Sequence, residues 1–193
     1  MPPDFNDHKG FYKRWKLPHL DEPGLYQSIT FRLVDSISPH RLQALREGLK
    51  PRHRKFFFER MDALLDCNYG KCWLKNPEIA SIAEEALQRF ENEKYELHAW
   101  VIMPNHIHCI VQLDRGYRLH DIVKGWKSRI ACRANPVLGR TGKFWQADFF
   151  DRFIRDPQHL GNASEYIHYN PVAARLCKRI EDWQWSSIHK YMN

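Results

Sequence analysis

A chain of 193 residues is long enough for one domain with its own hydrophobic core. Thirty Lys and Arg against 23 Asp and Glu leave a net charge of +7, which favours a polyanionic partner, and seven Trp within a 13 % aromatic content add surfaces on which unpaired bases can stack. Five cysteines, an odd number with no C-x-x-C pair, argue against a disulfide framework or a zinc finger, and no apolar run reaches the length of a membrane span, so a cytoplasmic protein is expected.

Residues 1–25 are polar, broken by Pro and Gly, and carry a basic aromatic cluster that includes Lys13, Arg14, Trp15 and Lys16. They read as an arm over the surface, either a solvated tail or a clamp on a phosphate backbone. Residues 26–34 read as the first core strand, with Ile29, Phe31 and Leu33 on one face. Ser38-Pro39 has the pattern of a helix cap, and Leu42, Leu45 and Leu49 supply the apolar side of the helix it starts. Residues 52–65 read as a second, more basic helix, residues 68–76 as a loop, and residues 77–90 as a helix carrying Ile79, Ile82, Ala86 and Phe90.

The next stretch alternates, with Tyr95, Leu97, Ala99, Val101 and Met103 expected on one face of a strand. Pro104-Asn105 turns the chain into a second strand, where Ile107, Cys109, Val111 and Leu113 share a face. His106 and His108 must therefore point together to the other face. Two imidazoles side by side on a strand can chelate one metal ion, or simply form a polar strand edge.

Residues 119–134 form an amphipathic helix with Leu119, Ile122, Val123, Trp126 and Ile130 inward. Its basic residues Lys124, Lys127 and Arg133, with Arg140 and Lys143 in the following loop, are candidates for tracking a phosphate backbone; a solvated outer face is the ordinary alternative. A last core strand is expected at residues 150–154. Asp156-Pro157 then caps a helix expected to end near Tyr169, ahead of Pro171. The order strand, helices, hairpin, helix, strand, helix predicts a ferredoxin-like α+β domain: a split βαβ antiparallel sheet with helices on one face. One domain is expected over residues 1–193, with a core at 26–170, a helical elaboration at about 50–76 and a C-terminal extension at 171–193.

Tyr166 and Asn170 are four residues apart and share one face of the last helix. If that face lies against the histidine side of the sheet, two imidazole nitrogens and an amide oxygen can hold a divalent ion, with a phenol beside it. Packing for Tyr166 and capping for Asn170 are the plainer roles.

Met103-Pro104-Asn105-His106-Ile107-His108 and Tyr166-Ile167-His168-Tyr169-Asn170-Pro171-Val172 resemble the two motifs of single-tyrosine HUH transposases. Leu17-Pro18-His19, Cys72-Trp73-Leu74, Phe144-Trp145-Gln146, Phe153-Ile154-Arg155-Asp156 and Asp182-Trp183-Gln184-Trp185-Ser186-Ser187 are similar to the REP-associated branch of the insertion-sequence-200-like group. The resemblance implies a ferredoxin-like domain that binds single-stranded DNA hairpins of repetitive extragenic palindromes, as a monomer or homodimer. It also implies strand cutting through a 5′-phosphotyrosine, with Tyr166 as nucleophile and Mg²⁺ or Mn²⁺ held by His106, His108 and Asn170. Arg175 departs from the pattern, standing where relatives commonly have Gly. Two other classes remain compatible with the residues: a hairpin-binding protein that no longer cuts, and a His-based metal hydrolase.

Overall fold

In the computed structural model, which describes residues 10–14, 17–47 and 54–192, the chain runs β1 (Gly10–Arg14), β2 (Leu17–Asp21), β3 (Tyr26–Arg32), α1 (Pro39–Glu47), α2 (Arg54–Asp66), α3 (Pro77–Gln88), β4 (Tyr95–Ile102), β5 (His106–Leu113), α4 (Leu119–Val137), β6 (Phe150–Phe153) and α5 (Pro157–Ala173). Four strands form one antiparallel sheet in the order β4-β5-β3-β6. This is the split βαβ arrangement expected of a ferredoxin-like domain.

The helices do not all lie on one face. Ile107, Cys109 and Val111 of β5 pack with Ile29 and Phe31 against α3 and α4, through Ile79, Ala83, Val123, Trp126 and Ile130. Ile110, Ala99, Val101 and Met103 face the other way and form a second core with Ile167 of α5. A sheet that is apolar on both sides must be covered on both. The one-face expectation therefore holds for α3 and α4 but not for α5.

The alternation expected along β4 also breaks. Tyr95 and Leu97 belong to the α3–α4 core, yet so do Trp100 and Ile102, while Ala99, Val101 and Met103 sit in the α5 core. The cause is a register shift between Leu97 and Ala99, opposite Val111 and Ile110. One extra residue in a strand sends every later side chain to the opposite face.

The N-terminal arm proves to contain a hairpin. β1 and β2 pair from Gly10↔Asp21 to Arg14↔Leu17, and β2 is stapled to the core through His19 and the Leu20 amide, which reach the two carboxylate oxygens of Asp151 in β6. At the other end of the chain, the C-terminal segment covers the free edge of β4. The Ile102 amide donates to Trp185 O at 2.9 Å, and the Trp100 amide donates to Ser187 Oγ at 2.8 Å. Covering an edge strand in this way satisfies its backbone and blocks pairing with another chain.

The last helix runs past Tyr169 and through Pro171. Proline lacks a backbone donor and its ring crowds the carbonyl four residues back; the helix carries that cost and ends two residues later, at Ala173. The chain then closes with Leu176 N–H on Pro171 O at 2.8 Å and Arg175 N–H on Val172 O at 2.9 Å, a pair of bonds that needs a left-handed residue at Arg175, where φ is 58°.

Candidate active site

β5 carries His106 and His108 on the face that α5 covers, and the two rings meet edge to face with their Nε2 atoms 2.9 Å apart. Both are buried. Burial, then His108 and Arg32, hold the His106 pKa well below its ordinary value, and burial pushes His108 down to about 4. Both imidazoles are thus neutral near pH 7, the state in which a ring nitrogen can ligate a metal.

The outer nitrogens are held from behind. His106 Nδ1 lies 2.7 Å from Asn105 Oδ1, and His108 Nδ1 lies 2.7 Å from Thr30 Oγ1 of β3. Such partners orient a ligating histidine and fix which nitrogen carries the proton. Asn105 was legible only as a turn residue, and Thr30 only as a residue of the first core strand.

α5 is seated by Ile167, which is 1 % exposed in the core beneath it. Truncating such a side chain to Ala costs roughly 2–5 kcal/mol, so the seat is firm. Tyr166, one residue earlier, turns toward a cleft of about 310 Å³ whose wall includes Thr30, Asp62, His108, Arg152 and His159. Its ring centroid lies 6.1 Å from that of His108. Tyr169 is 54 % exposed and does not line this cleft.

Asn170 is 2 % exposed, and neither its Oδ1 nor its Nδ2 has a hydrogen-bond partner among the described residues. A buried amide left bare costs about 1–3 kcal/mol, so its oxygen is available to a ligand. Among the described residues no group of three or more His, Cys, Asp or Glu gathers into a metal cage. On α5, which packs on the histidine face of the sheet, a bare amide oxygen completes with the two neutral imidazoles a donor set that suits a divalent ion with open positions.

The Tyr166 hydroxyl donates to Asp62 Oδ2 of α2 at 3.1 Å. Although Tyr166 is 46 % exposed overall, desolvation at its hydroxyl end, then the charges of Asp62 and Asp66, raise the phenol above its ordinary pKa. The Asn170 side chain opposes this in part. Burial lifts Asp62 to about 6 against the opposing pulls of Tyr166 and Arg152, and burial with the Asp62 charge lifts Asp66 to about 7. Neither carboxylate stands out in the sequence, where their helix reads as basic. Their spacing of four residues beside Met61 and Leu65 was the available sign.

Several basic residues expected to face a phosphate backbone are engaged within the protein. Lys127 Nζ donates to Gln146 O, Ala147 O and Asp148 O at 2.6, 3.0 and 3.3 Å, which makes it a clasp for that loop. Arg133 pairs with Glu85, which Arg129 also holds. Arg140 stacks over Trp73 and donates to Asn135 and to Lys143 O. Lys124 and Lys143 are exposed and line a groove of about 390 Å³ with His120 and Phe149, on the α4 side of the sheet. Lys13 and Arg14 fall within β1, and Lys16 lies outside the described residues.

Comparison with known proteins bears on this geometry directly. Residues 63–170 match the profile of the family described as "Transposase IS200 like". The chain belongs to the IS200-like transposase family. It is 31 % identical over 96 residues to the REP-associated tyrosine transposase of Escherichia coli K12, covering 50 % of this chain and 56 % of that protein. It is 33 % identical over 113 residues to a putative REP-associated tyrosine transposase of Haemophilus influenzae, covering 53 % of this chain and 64 % of the relative. The matches thus span less than two thirds of either curated relative. A solved structure of a REP-associated tyrosine transposase bound to a REP hairpin is similar over 93 % of this chain and 82 % of its own, with a TM-score of 0.57 at 20 % identity, which shows a shared fold. The profile match takes in both histidines, Tyr166 and Asn170 of this IS200-like transposase, together with Asp66, and begins one residue after Asp62. Among the described residues no helix is long and apolar enough to cross a membrane.

Proposed function

We propose that this IS200-like transposase binds single-stranded DNA hairpins of repetitive extragenic palindromes and cuts and rejoins one strand through a 5′-phosphotyrosine on Tyr166. The observation that carries this reading is the meeting of the Tyr166 phenol and His108 in one cleft, with the partnerless amide of Asn170 buried on the same helix. The relatives named for REP association, and one bound to a REP hairpin, support hairpins as the partner.

His106 Nε2, His108 Nε2 and Asn170 Oδ1 are the atoms that would hold Mg²⁺ or Mn²⁺, which as a Lewis acid supplies polarisation of the scissile phosphate. The protein's own residues do the rest. Tyr166 supplies the nucleophilic oxygen, and α5 fixes its distance from the histidine strand. Asn105 and Thr30 hold the rings in position. Arg152 in the cleft wall offers a positive charge to the phosphate backbone.

The test is trapping of a covalent adduct with a labelled single-stranded hairpin. Tyr166→Phe should lose the adduct and keep hairpin affinity, since only a hydroxyl is removed, while Tyr169→Phe should retain both. A nucleotide mass on a Tyr169 peptide, or adduct persisting in Tyr166→Phe, would overturn the assignment. Absence of adduct in the unmodified protein, with hairpin binding intact, would favour the non-cleaving reading.

A further inference from the structure

The Tyr166 hydroxyl already has a proton acceptor in place. We propose that Asp62 takes the Tyr166 proton during strand cleavage and returns it during rejoining. This rests on the reading of Tyr166 as the nucleophile. A phenol attacks phosphorus poorly while it keeps its proton, so a base within hydrogen-bond reach is what the chemistry requires. Asp62 Oδ2 is that atom, at 3.1 Å from Tyr166 Oη.

The other groups around the cleft are committed elsewhere. His106 and His108 face each other through Nε2, with their Nδ1 atoms on Asn105 and Thr30. Asp151 gives its two oxygens to His19 and the Leu20 amide, and His159 Nδ1 accepts from the Arg155 amide at 3.3 Å. Arg152, across from Asp62 on β6, is a cation and cannot accept a proton. Asp66, one turn further along α2, acts on the phenol through its charge, and its Oδ1 is buried without a hydrogen-bond partner.

The position of Asp62 is fixed by its neighbours. Met61 and Leu65 are buried with Ile37 in a small core beneath α2, packed against Phe150, so the carboxylate is presented to α5 from a rigid base. Burial also raises Asp62 to about 6. A carboxylate shifted in that direction holds an abstracted proton better than an ordinary aspartate and still ionises at neutral pH.

The step balances without a further reagent. As Tyr166 Oη bonds to phosphorus, its proton passes to Asp62; the bond from phosphorus to the 3′ oxygen breaks, and that oxygen takes a proton from water to become a free 3′-hydroxyl. In rejoining, a 3′-hydroxyl attacks phosphorus and gives its proton to water, the bond to Tyr166 breaks, and Asp62 returns a proton to Oη.

The experiment measures single-turnover adduct formation by the full chain with Mn²⁺, on synthetic single-stranded oligonucleotides carrying palindromic hairpins from the flanks of its own gene. Asp62→Asn is expected to slow adduct formation on the order of 10²–10⁴-fold at pH 7, with hairpin affinity undiminished. Asp62→Glu should recover part of the rate. A fluorinated tyrosine at position 166, whose phenol is more acidic, should restore Asp62→Asn far more than it accelerates the unmodified protein. Adduct formation by Asp62→Asn at the unmodified rate, or a fluorotyrosine effect equal in both backgrounds, would overturn the role of Asp62. If Tyr166→Phe loses the adduct while Asp62→Asn keeps it, the nucleophile stands and only the base is wrong. If the unmodified protein forms no adduct, the nucleophile fails and the role of Asp62 fails with it.

Discussion

Asn105 presents its Oδ1 to His106 Nδ1 at 2.7 Å while its own Nδ2 is held at 3.1 Å by both Leu65 O and Tyr69 O. Two backbone carbonyls can only accept, so they fix the amide with its oxygen toward the ring, and His106 Nδ1 must carry the proton. The lone pair of His106 is thereby placed on Nε2, facing His108. Asn105 also ties the histidine strand to the end of α2 and the loop beyond it.

The first prediction follows from that fixed tautomer. Asn105→Ala should weaken Mn²⁺ binding by roughly 10–100-fold, because the ring loses the partner that orients it. Titration followed by the Mn²⁺ paramagnetic resonance signal reads this without relying on catalysis. Binding by Asn105→Ala as tight as that of the unmodified protein would show that the ring needs no such support.

The second prediction concerns the staple of the N-terminal hairpin. His19 is buried, with Nδ1 on Asp151 Oδ1 and Nε2 at 3.3 Å from Asp148 Oδ1. Burial alone would lower its pKa, but hydrogen bonds and charge from Asp148 and Asp151 outweigh it and raise the value to about 9. A folded-state pKa above the unfolded value means that the stabilisation is complete below pH 6.5 and is lost as pH rises through about 9. At about 1.4 kcal/mol per pKa unit the loss between pH 6 and pH 9.5 is roughly 3 kcal/mol. Urea unfolding at pH 6 and pH 9.5 should show it, and His19→Gln should flatten the difference. Equal stability at both pH values in the unmodified protein would contradict the charged pair.

Much of this architecture was legible because burial writes a period into the sequence. The inward face of α4, with Leu119, Ile122, Val123, Trp126 and Ile130, emerged as read, and so did the pairing of His106 and His108 on one side of β5. The bulge in β4 was not legible, since both of its faces are apolar and alternation between two apolar sets carries no phase. Asp62 was missed for a related reason. A carboxylate on a basic helix looks solvated, and only the docking of α5 beside it turns it toward Tyr166.

The third prediction tests the departure at Arg175. Its φ of 58° lies in the left-handed region, where a side chain costs roughly 1–2 kcal/mol and Gly costs almost nothing. The bonds from Arg175 N–H to Val172 O and from Leu176 N–H to Pro171 O require that conformation. Arg175→Gly should therefore raise unfolding stability by roughly 0.5–1 kcal/mol, the gain trimmed by the extra freedom of Gly in the unfolded chain. A lower urea midpoint for the variant would mean that the Arg175 side chain contributes more than the strained backbone loses.

The last prediction separates two lysines three residues apart on α4. Lys127 and Lys124 look alike in sequence as basic residues of an amphipathic helix, yet Lys127 donates to three consecutive loop carbonyls and Lys124 lies exposed in the α4 groove. Lys127→Met keeps the length of the side chain and removes all three bonds, leaving two partly buried carbonyls and one exposed one without their donor. It should cost about 2–3 kcal/mol of stability. Lys124→Met should leave stability within about 0.5 kcal/mol of the unmodified protein. On a labelled single-stranded hairpin the order reverses: Lys124→Met should reduce the slope of log affinity against log salt by about one if it contacts a phosphate, and Lys127→Met should leave the slope unchanged. Measured together, unfolding and salt titration assign each lysine to one role. A reduced salt slope with unchanged stability for Lys127→Met would mean that its ammonium releases the loop and turns to the DNA.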